Sequence, residues 1–112
     1  MDDRTIFLIL YLGAGILFSA IALPLLWRKI PPNNWYGFRV DATLKNPKLW
    51  YEVNAYMAKG MLALGLLTGA TALVGYFITA LGLVPYFVIC TLVILVGLFI
   101  NLVQGFQYLK KF

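Results

Sequence analysis

The chain has 112 residues, of which 62% are apolar and only 12% carry a charge, and its mean hydropathy is +0.88. A typical soluble domain is about half apolar and about a quarter charged. A chain this short keeps many of its side chains at the surface, so that surface must face lipid. The net charge of +5 does not indicate a nucleic-acid partner, because most of the basic residues lie in a loop between apolar segments. We therefore expect a protein whose first partner is the lipid bilayer.

The residue types that carry most catalytic and metal chemistry are scarce. There is no histidine, and Cys90 is the single cysteine, which excludes an internal disulfide and a cysteine-based metal cage. The apolar segments contain no ionisable residue of the kind that proton relays and ion-coupled carriers need. Beyond the N-terminus the acidic residues are Asp41 and Glu52, both in a basic loop. We therefore expect no enzyme, no cofactor and no metal.

The first apolar segment, residues 5–27, exceeds the roughly 20 residues of a spanning helix. Pro24 lies in its last turns, where it can bend the helix exit without preventing spanning. Residues 20–22 (Ala-Ile-Ala) look like a signal-peptide cleavage site. However, Asp2 and Asp3 do not form the positive start of a signal peptide, and the apolar segment continues past the site. We predict a spanning helix.

The second apolar segment, residues 60–109, contains no charge and is twice the length of one span. The chain must therefore fold back within it. Gly82 can adopt the left-handed conformation that ends a helix, and Pro85 fits the first turn of the next one. We predict spans at 57–81 and 85–109 that pack antiparallel as a hairpin. The predicted fold is an all-α membrane protein with three transmembrane helices and a structured loop.

The basic residues collect on one side of this predicted bundle. One side receives Arg28, Lys29, Arg39, Lys45, Lys48, Lys59, Lys110 and Lys111, and the other receives only Arg4. By the positive-inside rule, the N-terminus should be outside, with the loop (residues 28–56) and the C-terminus in the cytoplasm. Residues 1–112 are expected to form a single transmembrane domain.

The loop has the pattern of a folded segment. Residues 31–34 (Pro-Pro-Asn-Asn) predict a stiff turn, because proline restricts itself and its predecessor. Asn46 and Pro47 are typical of a helix start, and the apolar residues that follow have helical spacing. We predict a short amphipathic helix at the membrane interface that continues into the second span. Lys48 and Glu52 form an i,i+4 pair on its other face.

Aromatic residues are frequent around the loop. An interfacial belt of amphipathic rings accounts for Trp27, Trp50, Tyr51, Tyr56 and Tyr108. It does not account for residues 35–39, where three aromatic residues surround a glycine and an arginine follows. There we expect Tyr36 and Phe38 to tuck under the bundle. Arg39 would then reach a headgroup phosphate or a partner's carboxylate.

The third span carries small and amide residues on one helical face, namely Gly97, Asn101, Gln104 and Gly105. One interpretation is interhelical hydrogen bonding and close packing. The other is a polar cleft that opens to the cytoplasm, is roofed by residues 36–39 and has Asn54 nearby.

Small residues also line the other two spans. Gly65 and Gly69, four residues apart, give the second span a smooth face for a close partner helix. We expect this partner within the hairpin rather than in a dimer, because the third span is already tethered. Gly13 and Gly15 give the first span a similar face.

The loop joins rare residue types at fixed distances, namely residues 31–39 (PPNNWYGFR), Thr43, Trp50 and Asn54. This pattern resembles the signature of the SdpI family of bacterial membrane proteins. Val40 stands where the family usually has threonine. The family takes its name from a protein that confers immunity to a secreted toxin and holds a transcriptional repressor at the membrane. The resemblance implies a short, three-span member in the bacterial cytoplasmic membrane.

The family pattern and the polar face together give ten candidate residues for binding a ligand or partner: Asn33, Tyr36, Gly37, Phe38, Arg39, Thr43, Trp50, Asn54, Asn101 and Gln104. The implied function is immunity or signalling by binding a peptide toxin or a cytoplasmic regulator, without catalysis. The alternative is a structural accessory subunit of a larger membrane complex, with membrane-protein partners or further copies of this chain. A lipid-modifying enzyme is the weakest alternative, because the necessary catalytic residues are missing.

Overall fold

The computed structural model describes residues 2–112, which form four helices. They are α1 (Asp3–Leu26), α2 (Asp41–Lys45), α3 (Pro47–Phe77) and α4 (Leu83–Leu109). Of these, α1, α3 and α4 are long and apolar enough to cross a membrane. No strand occurs in the described part of the chain. The predicted all-α membrane fold is confirmed.

α3 is one continuous helix of 31 residues. At about 1.5 Å per residue it is about 46 Å long, which exceeds the roughly 30 Å thickness of a hydrocarbon core. Asn46 caps it by accepting a hydrogen bond from the Leu49 N–H at 3.3 Å, and Pro47 occupies the first turn. The predicted interfacial helix is therefore the first part of α3, ahead of the span, and α2 is an additional short helix that the sequence did not indicate.

The turn between α3 and α4 differs from the prediction. α3 ends at Phe77 rather than at residue 81, with Ile78 as its C-cap. Gly82 has φ −68° and ψ 163°, an extended conformation, and is the N-cap of α4. It therefore does not end α3 in a left-handed conformation, and that prediction was wrong. Pro85 lies in the first turn of α4, as predicted.

Arg4 holds this turn together. Its guanidinium donates hydrogen bonds of 2.5–3.1 Å to the carbonyl oxygens of Gly75, Tyr76, Ile78 and Leu81. It also lies 5.0 Å from the centre of the Tyr86 ring. Carbonyls at a helix C-terminus lack partners within the helix, and a cation is favourable there. Arg4 thus fastens α1 to the α3–α4 turn. We call this end of the bundle the turn end, and the opposite end, with residues 27–46 and the C-terminus, the loop end.

The closest helix contact is between α1 and α3. A Cβ atom at Gly15 would lie 2.6 Å from the carbonyl oxygen of Gly65, and one at Gly65 would lie 2.7 Å from that of Gly15. The smooth face of Gly65 therefore packs on α1, and the prediction that it packs within the hairpin was wrong. Gly13 faces open space, with no atom within 4 Å of an added Cβ.

α3 and α4 interlock differently, by placing a side chain of one helix over a glycine of the other. The pairs are Leu64 over Gly97, Met57 over Gly105 and Asn101 over Gly60. At the turn end the core consists of Tyr11, Ala72, Tyr86 and Cys90. The Tyr86 hydroxyl donates to the Ala72 carbonyl at 2.7 Å, so this core also has a polar link between α3 and α4.

Candidate functional site

The loop is folded around Trp50. Its indole ring is fully buried, and its N–H donates to the carbonyl of Ile30 at 2.8 Å. The assignment of Trp50 to an interfacial belt was therefore wrong. Gly37 lies against this ring with φ +109°, and a Cβ there would be 3.0 Å from two ring carbons and 2.8 Å from Asn54 Oδ1. Only glycine fits this conformation and this space without strain.

Asn54 connects the loop to α3. It is 2% exposed, and its Oδ1 accepts a hydrogen bond from the Phe38 N–H at 2.5 Å. Its Nδ2 donates to the Trp50 carbonyl at 3.0 Å. Because these bonds engage both the acceptor and the donor of its amide, Asn54 positions the loop.

Thr43 and Asn33 position the same segment from either side. Thr43 is fully buried in α2, and its hydroxyl donates to the Phe38 carbonyl at 2.8 Å and accepts from the Val40 N–H at 3.1 Å. Asn33 Oδ1 accepts from the N–H groups of Trp35 and Tyr36 at 2.8 and 2.7 Å, a turn typical of asparagine. These contacts leave Trp35 exposed at the tip of the loop.

The residues between these supports form a roof over the loop end of the bundle. The Tyr36 hydroxyl donates to the Ile21 carbonyl in α1, and the Phe38 ring meets the Phe106 ring edge-on at 5.0 Å. The prediction that Tyr36 and Phe38 tuck under the bundle is confirmed. Arg39 is exposed, and its Nε donates to the Asn33 carbonyl at 3.0 Å. Its two Nη groups make no hydrogen bond within residues 2–112.

A cleft of about 520 Å³ lies beneath this roof, between α1, α3 and α4. Its roof consists of Gly37, Phe38, Arg39 and Val40, and its walls of Ile21, Ala22, Leu25, Asn54, Met57, Ala58, Met61, Asn101, Leu102 and Phe106. The volume is within the range of roughly 300–1,000 Å³ that small-ligand sites occupy. The walls are mainly apolar, which suits an apolar ligand group.

Asn101 supplies a polar group inside the cleft. It is 6% exposed, packs against Gly60 and lines the cavity. Its carboxamide makes no hydrogen bond to any other described residue, so the expected interhelical bond is not formed there. The amide atoms remain accessible from the cleft: in the described part of the chain the fully enclosed side-chain polar atom without a partner is Thr68 Oγ1 and not an atom of Asn101. The arrangement therefore leaves one donor and one acceptor available to whatever occupies the cleft.

The structure divides the ten candidate residues into three groups. Gly37, Phe38, Arg39, Asn54 and Asn101 line the cleft. Asn33, Tyr36, Thr43 and Trp50 hold the roof in place through the hydrogen bonds described above. Gln104 is exposed on the outer surface of α4 and does not reach the cleft.

A salt bridge fixes the start of the loop. Arg28 has φ +59°, an uncommon conformation for a residue other than glycine, and its Nη1 donates to Glu52 Oε1 at 2.9 Å. The helical spacing had suggested that Glu52 pairs with Lys48. In the structure Glu52 pairs with Arg28 instead. The hydrogen bond from Arg28 lowers the pKa of the Glu52 carboxyl below its ordinary value. Sequence reasoning missed this pair because its members are 24 residues apart.

Part of the chain matches a known protein family. A family model described as the SdpI/YfhL protein family matches residues 29–102, about two thirds of the chain. The matched segment contains the roof, all of α3 and α4 as far as Leu102. No curated protein and no solved structure matches the chain.

Proposed function

This chain belongs to the SdpI/YfhL protein family, and on that premise we propose that it is a non-catalytic immunity or signalling protein. In this proposal it binds a peptide toxin or a regulator in the cleft. The observation that supports the proposal is the roofed, largely apolar cavity with the unpaired amide of Asn101 inside it.

The chemistry of the cleft is complementary to an apolar peptide. Apolar side chains would bury against the walls formed by residues such as Leu25, Met61 and Leu102. The carboxamide of Asn101 offers a donor and an acceptor, which is the pattern that a peptide group requires. The Nη groups of Arg39 at the roof would bind a carboxylate through two parallel hydrogen bonds. A site of this kind acts by occupancy, so protection should saturate with the abundance of the protein.

The proposal places the roof on the cytoplasmic side of the membrane. Eight cations lie at the loop end or beside it in the sequence, against Arg4 at the turn end. A reporter that is active only in the cytoplasm should be active when fused after Phe112 and silent when inserted between Gly82 and Pro85. Activity at the turn would contradict this orientation.

The proposed function is tested by expressing the protein in a cell that a membrane-active peptide toxin kills. Expression should protect the cell, and Gly37→Val should abolish protection while leaving the protein in the membrane. The reason is that a Cβ at Gly37 would collide with Asn54 and Trp50 and displace the roof. Gly13→Val is the matched control, because Gly13 faces open space.

Two results would contradict the proposal. Protection that survives in a variant with scrambled residues 33–39 would show that the roof is not part of the site. Absence of protection, combined with stoichiometric purification of the protein in a larger membrane complex, would favour the accessory-subunit function.

A further inference from the structure

A second pocket lies at the loop end, on a different face of α3 from the cleft. Its volume is about 330 Å³, and it is lined by Leu26, Arg28, Glu52, Ala55, Tyr56, Lys59 and Tyr108. We propose that this pocket binds the headgroup phosphate of an anionic phospholipid. The proposal does not depend on the function of the cleft.

The charges around the pocket favour an anion. Arg28 donates to Glu52 at 2.9 Å, so the carboxylate that faces the pocket is already neutralised by a partner. Lys59 is exposed and has no carboxylate within salt-bridge distance among residues 2–112. Lys111 adds a further positive charge, 5.7 Å from the centre of the Tyr108 ring. The ammonium of Lys59 is therefore free to pair with a phosphate.

Two stacked tyrosines give the pocket a fixed side. The rings of Tyr56 and Tyr108 are 4.1 Å apart and almost parallel, with an angle of 8° between them. This stack joins α3 to the last turn of α4, and both tyrosines line the pocket. Phenol hydroxyls donate hydrogen bonds to phosphate oxygens, so the pocket offers neutral donors beside the cation.

The depth of the pocket identifies the source of the phosphate. Lys59 precedes the end of α3, Phe77, by 18 residues, which is about 27 Å of helix at 1.5 Å per residue. This distance is close to the roughly 30 Å of a hydrocarbon core. When Phe77 lies at one boundary of the core, Lys59 lies at the other, where lipid phosphates are found. A zwitterionic headgroup would bring its own cation to this positive pocket, so an anionic headgroup is preferred.

The test measures retention of lipid by native mass spectrometry of the protein in mixed micelles with equal amounts of phosphatidylglycerol and phosphatidylcholine. The wild type should retain phosphatidylglycerol preferentially. Lys59→Gln should lower its affinity for that lipid about five-fold, the effect of roughly one interfacial cation, and Lys59→Arg should preserve it. Lys45→Gln on α2 is the control and should have little effect, because Lys45 does not line the pocket.

Two outcomes would overturn the proposal. An equal loss in Lys59→Gln and Lys45→Gln would reduce the effect to the general basicity of the loop end. Displacement of phosphatidylglycerol by millimolar inorganic phosphate would show that the pocket takes dissolved phosphate and not a lipid headgroup.

Discussion

Replacing Asn54 by leucine tests the connection between the roof and α3. Leucine has the same branching and the same number of side-chain heavy atoms as asparagine but leaves the Phe38 N–H without the acceptor that it now has at 2.5 Å. An unsatisfied donor of this kind costs about 1–3 kcal/mol. Because each 1.4 kcal/mol changes an equilibrium about ten-fold, the roof should open about 5- to 150-fold more often. Amide hydrogen exchange at residues 37–39, measured in detergent or lipid discs, should accelerate by that factor.

The control for this experiment is Asn34→Leu. Asn34 is exposed in the same loop and its side chain makes no hydrogen bond in the described part of the chain. Exchange at residues 37–39 should therefore stay at its wild-type rate in that variant. An acceleration below two-fold in Asn54→Leu would refute the reasoning, because it would show that the bond from Phe38 to Asn54 does not hold the roof.

Three further predictions concern charged residues. Arg39→Lys should lose most protection, because lysine cannot form the planar two-donor contact, while Lys45→Ala should lose little. If both variants protect equally well in the toxin assay, the basic residues of the loop serve only to set the topology. Arg4→Gln should lower the free energy of unfolding by about 2–4 kcal/mol, because carbonyls at the end of α3 and in the following turn lose a charged donor, and thermal unfolding in detergent measures this. The pair of Arg28 and Glu52 contributes stability above the ordinary pKa of the carboxyl, and this contribution is lost as the pH falls through the lowered value. The Tm of the wild type should therefore fall more on acidification than that of Glu52→Gln, and parallel curves would contradict this.

The sequence predicted three helices that are long and apolar enough to span a membrane, because their signals are local. The three apolar segments are long enough to span, and Asn46 and Pro47 carry their own capping chemistry. The loop aromatics were harder to assign, because a tryptophan between apolar and polar surroundings fits a membrane interface and a buried core equally well. Trp50 is buried because Gly37 and the Ile30 carbonyl approach it, and neither contact has a signal in helical spacing.

Helical periodicity also assigned one residue too many to the polar face of α4, namely Gln104. Gln104 lies about 60° from Asn101 around the helix axis, on the opposite side from Gly105, which lies about 40° away. The contact with α3 follows the row of residues Gly97, Asn101 and Gly105, four positions apart, and shifts around α4 away from Gln104 towards the C-terminus. Asn101 and Gly105 are therefore buried while Gln104 is exposed. Arg4 was missed for another reason. Its partners lie more than 70 residues away, and only the packed bundle brings its guanidinium to the end of α3.

The central claim, that the cleft is the binding site, is tested most directly by exchanging one amide at a time on α4. Asn101→Leu removes the polar group of the cleft without breaking a hydrogen bond between described residues, so the protein should insert at normal abundance but should no longer protect against the toxin. Gln104→Leu makes the same kind of change one turn away on the exposed surface, and it should leave protection intact. Full protection by Asn101→Leu, or equal loss of protection in both variants at normal membrane abundance, would contradict the claim.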